Sequence, residues 1–220
     1  MRSSYSLLVL YVLLHFLKIT KSDPDPLQDF CVADASTDET IFLNSAPCMN
    51  PSMALPSHFM TSVLSKPGNT GANLFGFIVT LTNTKNMPGS NTQGLTMARI
   101  DIAGGGLVPP HAHPRASEVT LVLAGTLLVG FVDTSNRLFT QQLRVGDSFV
   151  FPRGMSHFLC NLDQKEPALA ISGLNSQNPG SQISSLSNFA TKPAIMDDIL
   201  KKSYRISGQD VERIRKNLGG

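Results

Sequence analysis

The chain has 220 residues, of which 41% are hydrophobic, and its 18 Lys and Arg stand against 16 Asp and Glu. This length supports one domain with a sizeable core and an appended segment. The charges are almost balanced and form no long basic run, which argues against a nucleic-acid partner.

Residues 1–22 are typical of a secretory signal peptide. Arg2 supplies a positive start, Leu7–Leu14 form an apolar stretch, and Ser22 ends a small-x-small cleavage site. Lys18 keeps the apolar run far below the roughly 20 residues of a membrane-spanning helix. We therefore predict cleavage after Ser22 and a secreted protein without a membrane span. Cleavage would remove three basic residues and leave 15 against 16 acidic ones, a net charge near −1.

Residues 23–70 are rich in Pro, Ser, Asn and Asp and have few repeating apolar positions, which predicts an irregular N-terminal arm. The arm contains Cys31 and Cys48, and a third cysteine, Cys160, lies in a later apolar run. Secretion into an oxidising compartment favours one disulfide and leaves one thiol over.

Short strand-like runs follow the arm, each bounded by Gly, Pro, Asn or Asp. Their spacing predicts a barrel or a sandwich rather than alternating strands and helices. Residues 119–132 are apolar at almost every position around Gly125, so we expect a hairpin that is covered on both faces, with subunit contact as the cover. The predicted strands are Phe75–Thr82, Leu95–Ala103, Val119–Ala124, Thr126–Val132, Leu138–Leu143, Ser148–Phe151, His157–Leu162 and Ala168–Ser172.

His111, His113 and Glu118, followed by His157, offer a complete ligand set for one metal ion. Alternate residues of an extended strand share a face, so His111 and His113 point the same way. Pro114 favours a turn that can bring Glu118 back to their side. His157 follows a separate turn and arrives from a different strand. A lone His-x-His pair is often a satisfied core or surface pair, but the added glutamate and third histidine favour a metal site.

Three imidazoles and one carboxylate leave one or two positions open on a six-coordinate ion. Nitrogen and oxygen ligands without thiolate suit Mn(II) or Fe(II), with Zn, Ni and Cu still open. A divalent ion with one carboxylate has a net charge near +1, which favours a small anionic ligand such as superoxide or a dicarboxylate. The histidines need acceptors for their other N–H groups, and the sequence does not identify these acceptors.

Residues 181–220 change to a helical period. Pro193 is predicted to start one helix, and Ser207 and Asp210 resemble a capping box that starts another. The apolar face of the second helix would be formed by Val211, Ile214 and Leu218, and its exposed face by Arg213, Arg215 and Lys216. Terminal helices of this kind pack on their own domain or on a neighbouring subunit more often than they bind a separate partner.

Three segments resemble those of a known family. His111-Ala-His-Pro-Arg-Ala-Ser-Glu118 resembles the germin box, and Asn175-Ser-Gln-Asn-Pro-Gly180 resembles another germin signature. The segment from Asp23 to Asp34 resembles the mature germin N-terminus. Nearly the whole mature chain is thus similar to germin-like proteins, the plant extracellular branch of the cupin superfamily.

This resemblance implies a mainly β fold: a cupin (jelly-roll) β-barrel with the metal site over residues 71–180, and C-terminal α-helices over residues 181–220. It implies one manganese ion per subunit and a homohexamer built as a trimer of dimers. It also implies a location in the apoplast and cell wall and a role in defence. A matching cysteine pair in germins supports a Cys31–Cys48 disulfide, with Cys160 as a buried free thiol. The implied manganese ligands are His111, His113, Glu118 and His157.

The best known germin activity is oxalate oxidation, and this chain differs from oxalate-oxidising germins at two pocket positions. Oxalate-oxidising germins have asparagines three and thirteen residues before the first metal histidine, where this chain has Val108 and Ala98. Losing two amides from a small polar pocket removes hydrogen bonds to the substrate and leaves an apolar lining that penalises a charged one. We therefore expect weak or no oxalate oxidase activity. A manganese superoxide dismutase is the first alternative, and a non-catalytic extracellular scaffold, receptor or storage protein is the second.

Overall fold

The computed structural model describes residues 28–36 and 45–219, so the predicted signal peptide lies outside the described residues. The described residues form ten strands: β1 (Phe77–Leu81), β2 (Thr96–Ile102), β3 (Leu107–Ala112), β4 (Glu118–Ala124), β5 (Leu127–Val132), β6 (Leu138–Leu143), β7 (Ser148–Phe151), β8 (Ser156–Asn161), β9 (Ala168–Leu174) and β10 (Gln182–Ile183). They make two antiparallel five-stranded sheets, with strand orders β1-β2-β9-β4-β7 and β10-β3-β8-β5-β6.

The two sheets pack their apolar faces against each other. Side chains alternate between the two faces of a strand, so β9 buries every second residue from Ala168 to Leu174. Residues of both sheets meet in one core, which includes Ile100, Val122, Val129 and Leu159. The mainly β jelly-roll prediction is confirmed, with the two sheets as separate hydrogen-bonded ladders.

The prediction of a hairpin around Gly125 is wrong. β4 pairs with β7 and β9, whereas β5 pairs with β6 and β8, so the chain crosses from one sheet to the other at this point. Gly125 has a φ of 76°, and a Cβ there would lie 3.0 Å from Cα of Ala168. Two apolar strands separated by a glycine resemble a hairpin in sequence, and only the pairing partners show otherwise.

Two strands were absent from the predicted set. β3 contains consecutive prolines, and its register with β8 shifts between Val108 and His111. Proline cannot donate to a strand ladder, which explains both the irregular register and the weak strand signal. β10 has only two residues and pairs with β3 at Ala112 and His111.

The described part of the arm has no regular strand or α-helix, only short 3-10 helices at Pro51–Met53, Pro56–Phe59 and Val63–Ser65, and polar contacts attach it to the barrel. Cys31 and Cys48 form a disulfide, as predicted. Gly68 donates its backbone N–H to Asp101 on the outer side of β2, and the carboxylate of Asp101 also pairs with Arg99 at 2.8 Å. Cys160 is free, but it is half-buried rather than buried.

The C-terminal residues form three helices in the described part of the chain: α1 (Ser184–Phe189), α2 (Asp197–Tyr204) and α3 (Gly208–Asn217). Ser207 and Asp210 form the predicted capping box, with reciprocal backbone-to-side-chain hydrogen bonds of 3.1 Å. A small apolar cluster of Phe189, Leu200 and Val211 holds the three helices together. None of the described helices has the length and apolar character that a membrane span requires.

Two details of the helical prediction are wrong. The first predicted helix begins at Asp197 rather than at Pro193. Asp197 and Asp198 place negative charge in the first turn, where the helix dipole favours it. Arg215 is half-buried rather than exposed, because its guanidinium contacts the carboxylate of Asp197 and donates to the carbonyl of Ile195.

Candidate metal centre

The four predicted ligands come together between the two sheets. His111 on β3 lies directly opposite His157 on β8, while His113 follows the end of β3. Glu118 begins β4 in the other sheet, after the turn that follows Pro114. One potential ligand atom from each residue lies within 4.8 Å of those of the other three.

Each imidazole is oriented by a backbone carbonyl. Nδ1 of His111 lies 2.9 Å from the carbonyl oxygen of Pro109, and Nδ1 of His157 lies 2.9 Å from that of Met155. Nδ1 of His113 contacts the carbonyl oxygen of Gly180. Since a carbonyl can only accept, each Nδ1 donates, and in the neutral imidazole each Nε2 therefore has the lone pair that a metal requires.

The carboxylate of Glu118 has a different environment at each oxygen. Oε2 lies 3.0 Å from Nε2 of His113 and 3.4 Å from Nε2 of His157. Oε1 accepts a hydrogen bond of 3.0 Å from Thr120, whose hydroxyl is 2.7 Å from that of Ser172. Thr120 and Ser172 are fully buried and are direct partners in the β4–β9 pairing. This hydroxyl pair therefore holds Glu118 with one oxygen directed towards the imidazoles.

The protonation states of His111 and Glu118 also suit metal coordination. Burial, together with the nearby His157, lowers the pKa of His111 to about 4, so its imidazole is neutral at neutral pH. Burial would raise the pKa of Glu118, but the neighbouring imidazoles of His113 and His157 outweigh it and hold the pKa well below its usual range. Burial opposes protonation of His113 too, yet its bonds to Glu118 and Gly180 raise its pKa overall. An ionised carboxylate and a neutral imidazole are the forms that bind metals.

The geometry of the four residues, as well as their chemical type, fits a metal ion. Nε2 of His157 is buried and has no hydrogen-bond partner in the part of the chain that the structure describes, because its contact with Glu118 lacks hydrogen-bond geometry. A buried polar atom without a partner costs about 1–3 kcal/mol, so such an atom calls for an explanation. An octahedral ion with bonds of about 2.1 Å places neighbouring ligand atoms about 3 Å apart. The contacts of Glu118 Oε2 with the two imidazoles are of this size, so these residues could hold a metal.

A cavity of about 370 Å³ extends from the cluster and is lined in part by His111, His113 and Glu118. Ala98 on β2 and Val108 on β3 also line it, from opposite sheets. The two positions where the sequence lacks the asparagines of oxalate-oxidising germins are therefore adjacent to the candidate metal site. Neither side chain can donate or accept a hydrogen bond there.

Similarity to known proteins agrees with this arrangement. A family model described as Cupin matches residues 62–212. Germin-like protein subfamily 1 member 1 of Arabidopsis thaliana is 60% identical over 201 residues, which cover 91% of this chain and 93% of that protein. Germin-like protein 3-1 of Oryza sativa subsp. japonica is 52% identical over 224 residues, with 100% of both chains covered. The chain belongs to the germin-like cupins.

A solved structure shares the fold of this germin-like cupin. An oxalate oxidase in complex with the substrate analogue glycolate matches it with a TM-score of 0.83 and 39% identity, over 89% of this chain and 97% of that one. The resemblance predicted from the germin box is thus confirmed at the level of family and fold.

The second germin signature of this cupin has a structural role at the metal centre. Asn175 accepts the backbone N–H of Ser117, and Arg115 donates to the backbone of Asn178. Gly180 supplies the acceptor for His113. The loop over residues 175–180 therefore holds the turn that carries the ligands into place.

Sequence reasoning missed the residues that orient the ligands. Pro109 and Met155 each lie two positions before a ligand histidine, and Thr120 lies two positions after Glu118 on the same strand face. This spacing was a usable signal. Ser172 and Gly180 are more than 50 positions away from the residues they contact, and no local pattern could have identified them.

Replacing Thr120 with Val in this cupin is expected to lower the affinity for a divalent metal by about 10- to 100-fold, the usual effect of losing an outer-shell partner. Valine preserves the shape of threonine but leaves Oε1 of Glu118 without its hydrogen bond. Isothermal titration of the metal-free protein with Mn(II) measures the effect. Thr80→Val makes the same change on β1, away from the site, and should retain the original affinity. Equal affinities for both variants would exclude the orienting role of Thr120.

Proposed function

We propose that this germin-like cupin is a secreted protein that binds one manganese ion per subunit and dismutates superoxide. The proposed ligands are His111, His113, Glu118 and His157. The observation that carries the proposal is the convergence of these four donors with each imidazole tautomer set by a backbone carbonyl.

Nitrogen and oxygen donors without thiolate support Mn(II) or Fe(II), and the germin resemblance favours manganese. A redox-active ion in this site would supply two oxidation states, so that two superoxide anions and two protons become dioxygen and hydrogen peroxide. We propose that the hydrogen peroxide formed in this way connects the activity to a role in defence.

The residues around the ion favour a small monoanion over oxalate. One carboxylate, that of Glu118, against a divalent ion leaves a net charge near +1, which attracts an anion. Ala98 and Val108 offer no hydrogen bonds to the carboxylate oxygens of oxalate, whereas superoxide requires few such contacts. These features support superoxide as the substrate and argue against efficient oxalate oxidation.

Superoxide and oxalate assays on manganese-loaded protein test this function. The expected result is superoxide consumption well above that of the same protein after chelation, with little or no peroxide formed from oxalate. Strong oxalate oxidation would favour the oxidase. Full manganese content with neither activity would overturn the enzymatic proposal and favour a non-catalytic extracellular scaffold, receptor or storage protein.

Secretion is supported by two features of different kinds. The first 22 residues have the pattern of a signal peptide, although they lie outside the described residues. The Cys31–Cys48 disulfide is typical of an oxidising compartment. We therefore propose the apoplast and cell wall as its location.

An oligomer is supported by the outer face of the first sheet. Inner positions of β4 are buried, while the outer positions Val119, Leu121 and Leu123 are exposed apolar residues. Met97 on β2 and Val150 on β7 are exposed apolar residues of the same sheet. An apolar sheet face of this kind is commonly a protein–protein contact. We propose that it is covered by a second subunit, as part of a hexamer built as a trimer of dimers.

Replacing Leu121 with Lys is expected to shift the protein to smaller assemblies, because burying an unpaired ammonium in an apolar interface is unfavourable. Light scattering after size-exclusion chromatography measures the mass. Leu138→Lys changes an exposed leucine of β6, in the other sheet, and serves as the matched control. An unchanged mass for Leu121→Lys would place the subunit contact elsewhere.

A further inference from the structure

The cavity beside the candidate metal centre is much larger than the substrate proposed above. Its volume is about 370 Å³, whereas a water molecule occupies roughly 30 Å³ of the liquid and superoxide has only two heavy atoms. Sites for small organic ligands occupy about 300–1,000 Å³. The cavity therefore has room for an organic molecule with several carbon atoms.

One wall of this cavity is almost entirely apolar. It is formed by side chains of β1 and β2, with further apolar residues from β8 and β9. The wall residues used here are Phe77, Val79, Leu81, Ile100, Leu159 and Leu174. Water molecules in such a space would form fewer hydrogen bonds than in the bulk liquid. An apolar group forms no hydrogen bonds in water, so it gives up none when it enters the cavity.

The mouth of the cavity lies beside β1. Val79 and Leu81 pair with Ile100 and Ala98, whose side chains are buried in the core, so all four point into the barrel. Val79 and Leu81 are nevertheless 37% and 39% exposed. An inward-facing side chain that solvent reaches marks an opening at this edge. A ligand can thus enter along an apolar path that ends at His111, His113 and Glu118.

We infer that the site takes small monocarboxylic acids with an apolar body, with the carboxylate at the metal and the body against the wall of β1 and β2. This inference rests on the proposed metal binding. The net charge near +1 matches one carboxylate. On the wall of β1 and β2 the one hydroxyl is that of Thr96, which donates to the backbone carbonyl of Ser176. A second carboxylate placed against this wall would lack a hydrogen-bonding partner there, which is unfavourable. Apart from the metal ligands, the other polar lining side chains, such as Asn83 and Asn178, stand in the loops that follow β1 and β9.

A series of unbranched acids tests this inference on the manganese-loaded protein. Isothermal titration with acetate, butanoate and hexanoate should show an affinity that rises about fourfold for each added methylene. This factor corresponds to a gain in binding free energy of about 0.8 kcal/mol for each methylene that is buried. Oxalate and malonate should bind more weakly than hexanoate. An affinity that does not depend on chain length, or tighter binding of the dicarboxylates, would overturn the inference.

Variants that fill the cavity give a second test. Val108→Phe and Ala98→Leu each enlarge a residue that lines the cavity, and each should reduce hexanoate affinity by about tenfold or more, because the added atoms occupy the space of the ligand. Manganese content should be retained. Ala124→Leu adds the same side chain at the exposed end of β4 and should not change the binding. Unchanged hexanoate binding in both filled variants would contradict the assigned wall.

Elemental analysis separates the two proposals. If the unmodified protein contains no manganese after loading, both the proposed metal binding and the ligand inference are refuted. Full manganese with no dependence on chain length would refute the ligand inference alone.

Discussion

His157→Ala is expected to abolish tight metal binding, a larger loss than the roughly 10- to 100-fold that follows removal of an outer-shell partner. His157 is the ligand that β8 contributes, and it is almost completely buried. Its Nε2 has no hydrogen-bond partner among the described residues and lies 3.4 Å from Oε2 of Glu118. Alanine would leave three donors and a space next to Phe151, whose ring stacks on the imidazole with centroids 4.4 Å apart. Elemental analysis after dialysis measures the remaining metal.

The matched control is His58→Ala, which removes a histidine of the arm. Its Nδ1 accepts a hydrogen bond from the backbone of Leu55, far in sequence from the ligands. This variant should keep its full metal content. Glu118→Gln, which preserves shape but removes the charge, should lose metal in the same way as His157→Ala. Full occupancy in a folded His157→Ala protein would eliminate the four-ligand assignment.

The double change Val108→Asn with Ala98→Asn is expected to raise oxalate turnover by about 30-fold to about 25,000-fold if the two gains add. Each new amide can form a hydrogen bond to oxalate worth roughly 1–3 kcal/mol in a buried site, at about 1.36 kcal/mol per tenfold change in rate. Both positions line the cavity and come from opposite sheets, so two amides could contact one substrate from two sides. Oxalate-dependent peroxide formation, compared at equal manganese content, measures the gain.

Val79→Asn is the control for this design, because it adds an amide to the same cavity at a third position. It should not raise oxalate turnover comparably, since the effect depends on where the amides stand. The single changes should each give part of the increase. Strong oxalate oxidation by the unmodified protein would show that Ala98 and Val108 do not limit this substrate.

Local patterns in the chain predicted most of the strands, because each strand is short, apolar and ended by a turn residue. β6 and β7 agree with the predicted bounds at both ends. β10 was missed, since two residues carry no periodicity and pair only because β3 lies beside them. The hairpin around Gly125 was wrong for a similar reason. Strand character is a local property, whereas the choice of sheet depends on partners that are distant in sequence.

The sequence by itself determined the identity of the four donors and the turns that carry them, because spacing along a strand decides which side chains share a face. It also indicated Ala98 and Val108, and both of these residues line the cavity beside the four donors. Only the tertiary structure decided how those donors are oriented. The pairing of β4 with β9 sets Ser172 beside Thr120, and the loop at Gly180 reaches His113 across 67 positions. Contacts of this kind depend on the packing of whole sheets, so they appear only once the chain has folded.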